Sequence, residues 1–202
     1  MITYIIIAIT SFISITSMGD NSLKNKMMFN AYRIKHNKEW WRFFSSGLIH
    51  ADWMHLIFNM YSLYLFGKGV EDGFSYLFEE KGMLFYIILY VGGLAMSSLY
   101  TFEKHKNDSW YNALGASGAV SAVVFAYIII DPTSTLMFLF LPFPIPAYLF
   151  GIIFLAVEYY LGKRGQTNIG HDAHFWGAIY GAVFTIVLKP ALITNFIERI
   201  TG

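Results

Sequence analysis

The sequence predicts an all-α protein that crosses a membrane repeatedly, as a bundle of six transmembrane helices. Three observations predict it. Of 202 residues, 56% are hydrophobic and 13% charged, roughly half the charged share of an average soluble domain. Uncharged apolar runs recur along the chain at lengths near the roughly 20 residues that a helix needs to cross a bilayer. Within several of these runs, polar or small residues fall at helical spacing, which gives the helix one face suited to packing inside a bundle. No internal repeat, flexible linker or low-complexity tract divides the chain, so residues 1–202 read as one membrane domain.

The first span is Ile2–Met18, uncharged and rich in Ile and Thr. A cleaved signal peptide is its rival reading, but a basic leading segment and a small-residue cleavage site are both missing. From Gly19 to Asp52 the chain turns polar, with basic residues interleaved among Met, Phe, Tyr and Trp, a mixture suited to the headgroup layer. The second span, Trp53–Gly67, carries His55, Asn59 and Ser62 on one face, with His50 just ahead of it. Polar groups at that depth should turn into the bundle, either to hydrogen-bond neighbouring helices or to do chemistry. Lys68–Lys81 reads as a polar connection, and Gly82–Phe102 as the third span. The fourth, Asn112–Ile130, ends at Asp131-Pro132, because proline disfavours helical geometry in the residue before it. Pro142, Pro144 and Pro146 rule out a helix over Thr135–Pro146, which reads as an extended or re-entrant connection. The fifth span is Ala147–Leu161, with Glu158 near its end and a turn at Gly162–Gly165. The sixth is Ala173–Leu188, followed by Lys189-Pro190 and a short amphipathic tail.

The fourth span opens with Gly115-Ala116-Ser117-Gly118, whose glycines uncover the Ser117 hydroxyl and permit a close helix contact. Two readings follow: an exposed nucleophile, or a packing seam in which the hydroxyl bonds a carbonyl. In the sixth span His174, Gly177 and Gly181 share a face. If that face packs on Ser117 and Gly118, His174 can take the Ser117 proton as a general base; otherwise it is an interfacial residue. Spans two, four and six enter from one side and carry His55, Ser117 and His174 near their first turns. The absence of cysteine excludes disulfides, thiolate catalysis and cysteine metal sites. A net charge of +1 without a long basic run gives no footprint for nucleic acid. A metal site built from His50, His55, His171 and His174 is a further alternative, although it leaves the small-residue setting of Ser117 without a role.

Five pieces then occur in one order between about Trp40 and Leu188: Trp41-Arg42; His50, His55 and Asn59 in H-x4-H-x3-N spacing; Gly69-Val70-Glu71; Gly115-Ala116-Ser117-Gly118; and Ala173-His174 followed by Gly177 and Gly181. Together they resemble the rhomboid intramembrane serine proteases. The resemblance implies a rhomboid-like bundle with its catalytic core at about 40–188. It implies Ser117 as nucleophile and His174 as base, a dyad with no acidic third member, no cofactor and no metal. His55 and Asn59, with the Ser117 amide, would stabilise the oxyanion; His50 would be structural; Arg42 would pair with Glu71 to anchor the long loop. Ser121 stands where many family members have an aromatic residue packed on the catalytic histidine, so some other side chain must orient His174. The implied substrates are single-span or other membrane proteins in the lipid bilayer, and a catalytically inactive relative that binds membrane proteins is the alternative. Ten of the 14 Lys and Arg residues lie in the loops Gly19–Asp52, Glu103–Asp108 and Gly162–Asp172, which by the positive-inside rule would be cytoplasmic. The resemblance implies the opposite, a cell (inner) membrane protein with cytoplasmic termini. That orientation is expected here, because six of the ten charges sit in the loop that embeds in the interface.

Overall fold

The computed structural model describes residues 1–138, 141–164 and 170–202. In chain order its helices are α1 (Ile2–Met18), α2 (Asn21–Met27), α3 (Ala31–Asn37), α4 (Arg42–Ser45), α5 (Trp53–Phe78), α6 (Gly82–His105) and α7 (Ser117–Ile130). A hairpin of β1 (Thr135–Phe138) and β2 (Leu141–Pro146) follows, then α8 (Ala147–Arg164), α9 (His171–Leu188) and α10 (Ala191–Thr201). Among the described residues the fold is all-α apart from that strand pair.

At the centre stands α7. It is apolar on every face, as a helix enclosed by others must be, and Gly118 to Ala126 are buried without a break. Around it pack α5, α6 and α9; α8 lies against α9, and α1 along α5. The surfaces are inverted relative to a soluble bundle. On α1 the buried residues are Thr3, Thr10, Ser14 and Ser17, while Ile5, Ile9, Phe12 and Ile15 face outward. The outer faces of α5, α6 and α8 likewise expose Ile57, Tyr64, Ile88 and Ile152. Water would drive the apolar side inward; a hydrocarbon surround reverses that demand.

By length and composition, the apolar run Trp53–His105, which contains α5 and α6, is long enough to cross a membrane. The pair α9 and α10, bent by 111° at their junction, passes the same test together, whereas α1 and α7 are apolar but shorter.

Several boundaries differ from the sequence expectation. The expected connection at Lys68–Lys81 is mostly helix, since α5 runs on to Phe78 and only Glu79–Lys81 forms a tight 3-10 turn. Its apolar stripe continues through Val70 and Phe74, both fully buried, and the charges are absorbed in place: Lys68 pairs with Asp72 four residues on, and Glu71 bonds the start of α1. Helix α7 starts at Ser117 rather than Asn112, because Gly115 has φ +118°, a conformation a helix cannot contain. The proline-rich connection is an antiparallel strand pair, with prolines at alternate positions along β2 so that their missing N–H groups fall on one edge. Helix α8 extends to Arg164, into the expected turn, whose Gly165 lies outside the described residues.

Candidate functional site

The loop from Gly19 to Asp52 is folded around a small core of Phe29, Ala31, Ile34 and Phe43, covered by Phe102, Tyr111 and Ala113. Phe29 and Ala113 exchange backbone hydrogen bonds of 2.9 and 3.1 Å, which seats the segment leading to Ser117 against this loop. Arg42, 2% exposed, ties the loop to itself: it pairs with Glu39 and donates to the Asn25 and Met28 carbonyls at 3.1 and 2.6 Å. The expected Arg42–Glu71 pair does not form. Glu71 instead accepts from the Ile2 and Thr3 amides (2.9 and 3.1 Å) and the Thr3 hydroxyl (2.8 Å), and pairs with the terminal amine. The reason is the length of α5: at about 1.5 Å per residue, Glu71 lies about 27 Å along the helix from its start, where the loop docks.

His50 positions the residue before Ser117. Its Nε2 accepts from the Ala116 amide at 3.3 Å, so the neutral ring carries its proton on Nδ1, 3.2 Å from the Ser14 hydroxyl. Burial, helped by the nearby His55 and opposed by Asp52, holds the His50 pKa down to about 3, and the ring stays neutral. One residue ahead of Ala116, the Gly115 amide bonds the Ser46 carbonyl at 2.9 Å. A Cβ on Gly115 would fall 2.6 Å from the His55 ring, so this glycine is required both for its backbone angle and for the imidazole beside it.

Ser117 therefore opens α7 with no side-chain cap ahead of it, and first-turn amides of a helix lack intrahelical acceptors. Ser117, Gly118, Gly115 and His55 share the wall of a cavity of about 900 Å³ with Ser46, Ser97 and Trp110. His55 thus reaches the cavity. Asn59, one turn deeper on α5, is buried and donates through Nδ2 to the His55 carbonyl at 2.9 Å; it is not part of that wall, nor is the buried Ser121.

Helices α7 and α9 touch through backbone. A Cβ on Gly177 would lie 2.9 Å from the Gly118 carbonyl carbon, and one on Gly181 would lie 2.6 Å from that of Ala122. A Cβ on Gly118 would meet the Ala173 carbonyl oxygen at 3.4 Å, so the first turns bearing Ser117 and His174 lie side by side.

On α9, His174 is held by α8. Its Nδ1 lies 3.1 Å from one Glu158 oxygen, while the other oxygen lies 2.6 Å from Nδ1 of His171. Phe154, one turn from Glu158, sets its ring 6.5 Å from that of His174. The resemblance implies a dyad with no acidic third member; the structure sets a largely buried carboxylate, Glu158, against His174, and α8 supplies the contacts that Ser121 cannot. With Nδ1 committed to Glu158, a neutral His174 presents a bare Nε2. The sequence signal was Glu158 itself, a lone carboxylate in an apolar span. The four-histidine metal site does not assemble, because His50 packs on His55 at 4.9 Å between ring centroids while His171 and His174 gather around Glu158.

The profile of the Rhomboid domain matches residues 37–191. The chain belongs to the rhomboid family. Rhomboid proteins are integral membrane proteins, generally serine proteases. This rhomboid is 32% identical over 147 residues to the RHOMBOID-like protein 12, mitochondrial, of Arabidopsis thaliana, covering 69% of this chain and 44% of that one. It is 27% identical over 190 residues to the rhomboid protease AarA of Providencia stuartii, covering 85% and 65%. A third relative, the putative rhomboid protease YdcA of Bacillus subtilis, is 30% identical over 92 residues, covering 46% and 42%. The matches thus span between 42% and 65% of the length of these relatives.

Proposed function

We propose that this rhomboid is an intramembrane serine endopeptidase that cuts transmembrane segments of other membrane proteins. The observation that carries the proposal is the adjacency of two first turns: Ser117 at the uncapped start of α7 on a cavity wall, and His174 at the start of α9 with Nδ1 bound to Glu158. In this reading Nε2 of His174 takes the Ser117 proton as the hydroxyl attacks a substrate carbonyl. The Ser117 amide and the His55 side chain receive the developing oxyanion. Asn59 contributes through its second N–H, or indirectly by fixing the turn that carries His55. Each such donor is worth roughly 2.7–4 kcal/mol of transition-state stabilisation. Glu158 is a positioning residue that fixes the tautomer and the ring.

The bundle then crosses the bilayer six times, through α1, α5, α6, α7, α8 and α9. Helix α7, at about 1.5 Å per residue, is only about 21 Å long, short of the roughly 30 Å hydrocarbon core. Enclosed by protein and extended by the irregular segment ahead of Ser117, it needs no lipid-facing length of its own. We place the protein in the inner membrane of the cell with both termini in the cytoplasm, so that the site opens on the opposite, outer side. The substrate is a single-span or other membrane protein whose helix unwinds locally to expose a peptide bond.

The test is cleavage of a model single-span substrate in liposomes by the purified protein. Wild type should cut it, and Ser117→Ala and His174→Ala should each abolish cutting, with the double variant no worse than either, as groups acting as a unit behave. Substantial cleavage by Ser117→Ala would end the protease reading.

A further inference from the structure

The cluster around Glu158 has the makings of a second kind of site. Donor atoms of Glu158, His171 and His174 all lie within 4.8 Å of one another. The two histidines stand at i and i+3 on α9, and the carboxylate comes from the facing helix α8, the arrangement by which helix bundles build metal centres. Metal–ligand bonds of about 2.0–2.2 Å in tetrahedral geometry set ligand atoms about 3.3–3.6 Å apart. The Glu158 oxygens are already 2.6 and 3.1 Å from the two Nδ1 atoms, so small side-chain rotations suffice to admit an ion.

We propose that Glu158, His171 and His174 bind Zn²⁺ or a related transition-metal ion, and that occupancy inhibits this rhomboid. The inhibitory half rests on the Ser117–His174 reading; the binding half does not. Electrostatics favours the ion. The side chains of His171, Glu158 and His174 are only 7%, 11% and 16% exposed, and a carboxylate held at that depth is favoured by a cationic partner or a metal ion. Imidazole with carboxylate suits Zn²⁺, Ni²⁺, Co²⁺ or Cu²⁺, whereas Mg²⁺ and Ca²⁺ prefer all-oxygen shells.

Inhibition follows from the tautomer. When Nδ1 of His174 donates its lone pair to a metal, the single ring proton moves to Nε2. That is the atom that must accept the Ser117 proton, so the metal-bound imidazole is a donor where the reaction needs a base. His50 and His55 lie outside this donor cluster, with their rings packed edge-on against each other at 4.9 Å.

The experiment uses the chelator-washed 202-residue chain in detergent. Co²⁺ is titrated into Ser117→Ala and into Ser117→Ala combined with His171→Gln or His171→Cys, read by cobalt visible absorption, with Zn²⁺ as competitor. The proposal expects one Co²⁺ per chain with a low-symmetry, low-coordinate spectrum displaced by Zn²⁺. His171→Gln should weaken binding at least tenfold, the lower end of what losing a metal-site interaction costs, and His171→Cys, which keeps a ligand, should retain it. In parallel, Zn²⁺ inhibition of cleavage by the serine-containing protein should reverse with chelator and shift at least tenfold in His171→Gln, each variant compared with its own metal-free rate. No stoichiometric Co²⁺ spectrum, or one that His171→Gln leaves unchanged, overturns the metal site. Co²⁺ binding together with zinc-insensitive cleavage overturns the inhibitory half. If metal-free protein with Ser117 intact cuts nothing, the protease reading fails, while the titration on Ser117→Ala still decides the binding site.

Discussion

The contact between α7 and α9 can be tested by adding one methyl group at either of two glycines. A Cβ on Gly181 would sit 2.6 Å from the Ala122 carbonyl carbon and from its Cα. Non-bonded carbons rest about 3.5–4.0 Å apart, so the helices must part by about 1 Å, and backbone has no rotamer with which to yield. Overpacking of this kind costs roughly 1–3 kcal/mol, and rigid partners put it near the upper end. Against this, alanine gains about 0.8–1.0 kcal/mol over glycine inside a helix. The clash wins, leaving a net loss of about 2 kcal/mol, or roughly 4–8 °C in melting temperature for a chain of this size. At Gly177 a Cβ would press on the Gly118 carbonyl oxygen as closely as one at Gly181 presses on that of Ala122, with the Gly118 carbons at 2.9 and 3.1 Å, so the clash is similar. It falls beside Ser117, however, where a displacement of about 1 Å can cost about 100-fold in rate. Gly177→Ala should therefore lose about as much stability as Gly181→Ala and more activity, about tenfold. Differential scanning fluorimetry in detergent and cleavage of a single-span substrate measure the two. A Gly181→Ala protein that melts at the wild-type temperature, or a Gly177→Ala protein that cuts at the wild-type rate, would refute the packing described.

Other expectations concern the parts around the site. Because the His50 pKa is held below that of the unfolded chain, the unfolded state binds the extra proton between about pH 6.5 and about 3. Stability should be full above that window and fall within it by about 1.4 kcal/mol per pH unit as pH drops; His50→Asn should flatten this slope, and an unchanged slope would count against a buried neutral ring. Glu71→Ala should lower stability by about 1–3 kcal/mol, because the Ile2 and Thr3 amides lose their acceptor, while the rate per folded molecule stays unchanged about 27 Å away. Double-variant cycles should find Arg42 coupled to Glu39 by about 0.5–3 kcal/mol and additive with Glu71; coupling to Glu71 would restore the pairing expected from sequence.

These tests fall where local sequence and folded structure diverge. The apolar runs were legible because helix burial is written into composition and period, and the central helix was marked by its apolar, uncharged length. Where elements ended was less legible. The charges at Lys68, Glu71 and Asp72 read as a loop because what satisfies Glu71, the start of α1, lies almost seventy residues away. The start of α7 depended on one backbone angle at Gly115. In the candidate site, Ser117, His55 and His174 stood out as polar residues in apolar helices, and the glycine face of α9 followed from spacing alone. Glu158 carried the same signal, yet its partners arise from the pairing of α8 with α9, which no local pattern specifies. Arg42 and Glu71 show the converse: two charges in family order, carried to opposite ends of α5 by the length of that helix.

The central claim is that Ser117 is a nucleophile activated by His174, and covalent trapping tests it most directly. A fluorophosphonate probe should label the purified protein, and mass spectrometry of the digest should locate the adduct on the peptide containing Ser117. Labelling should vanish in Ser117→Ala and slow at least 100-fold in His174→Ala, as expected when a general base is removed. An adduct on another residue, or labelling of Ser117 at the same rate with and without His174, would contradict the account.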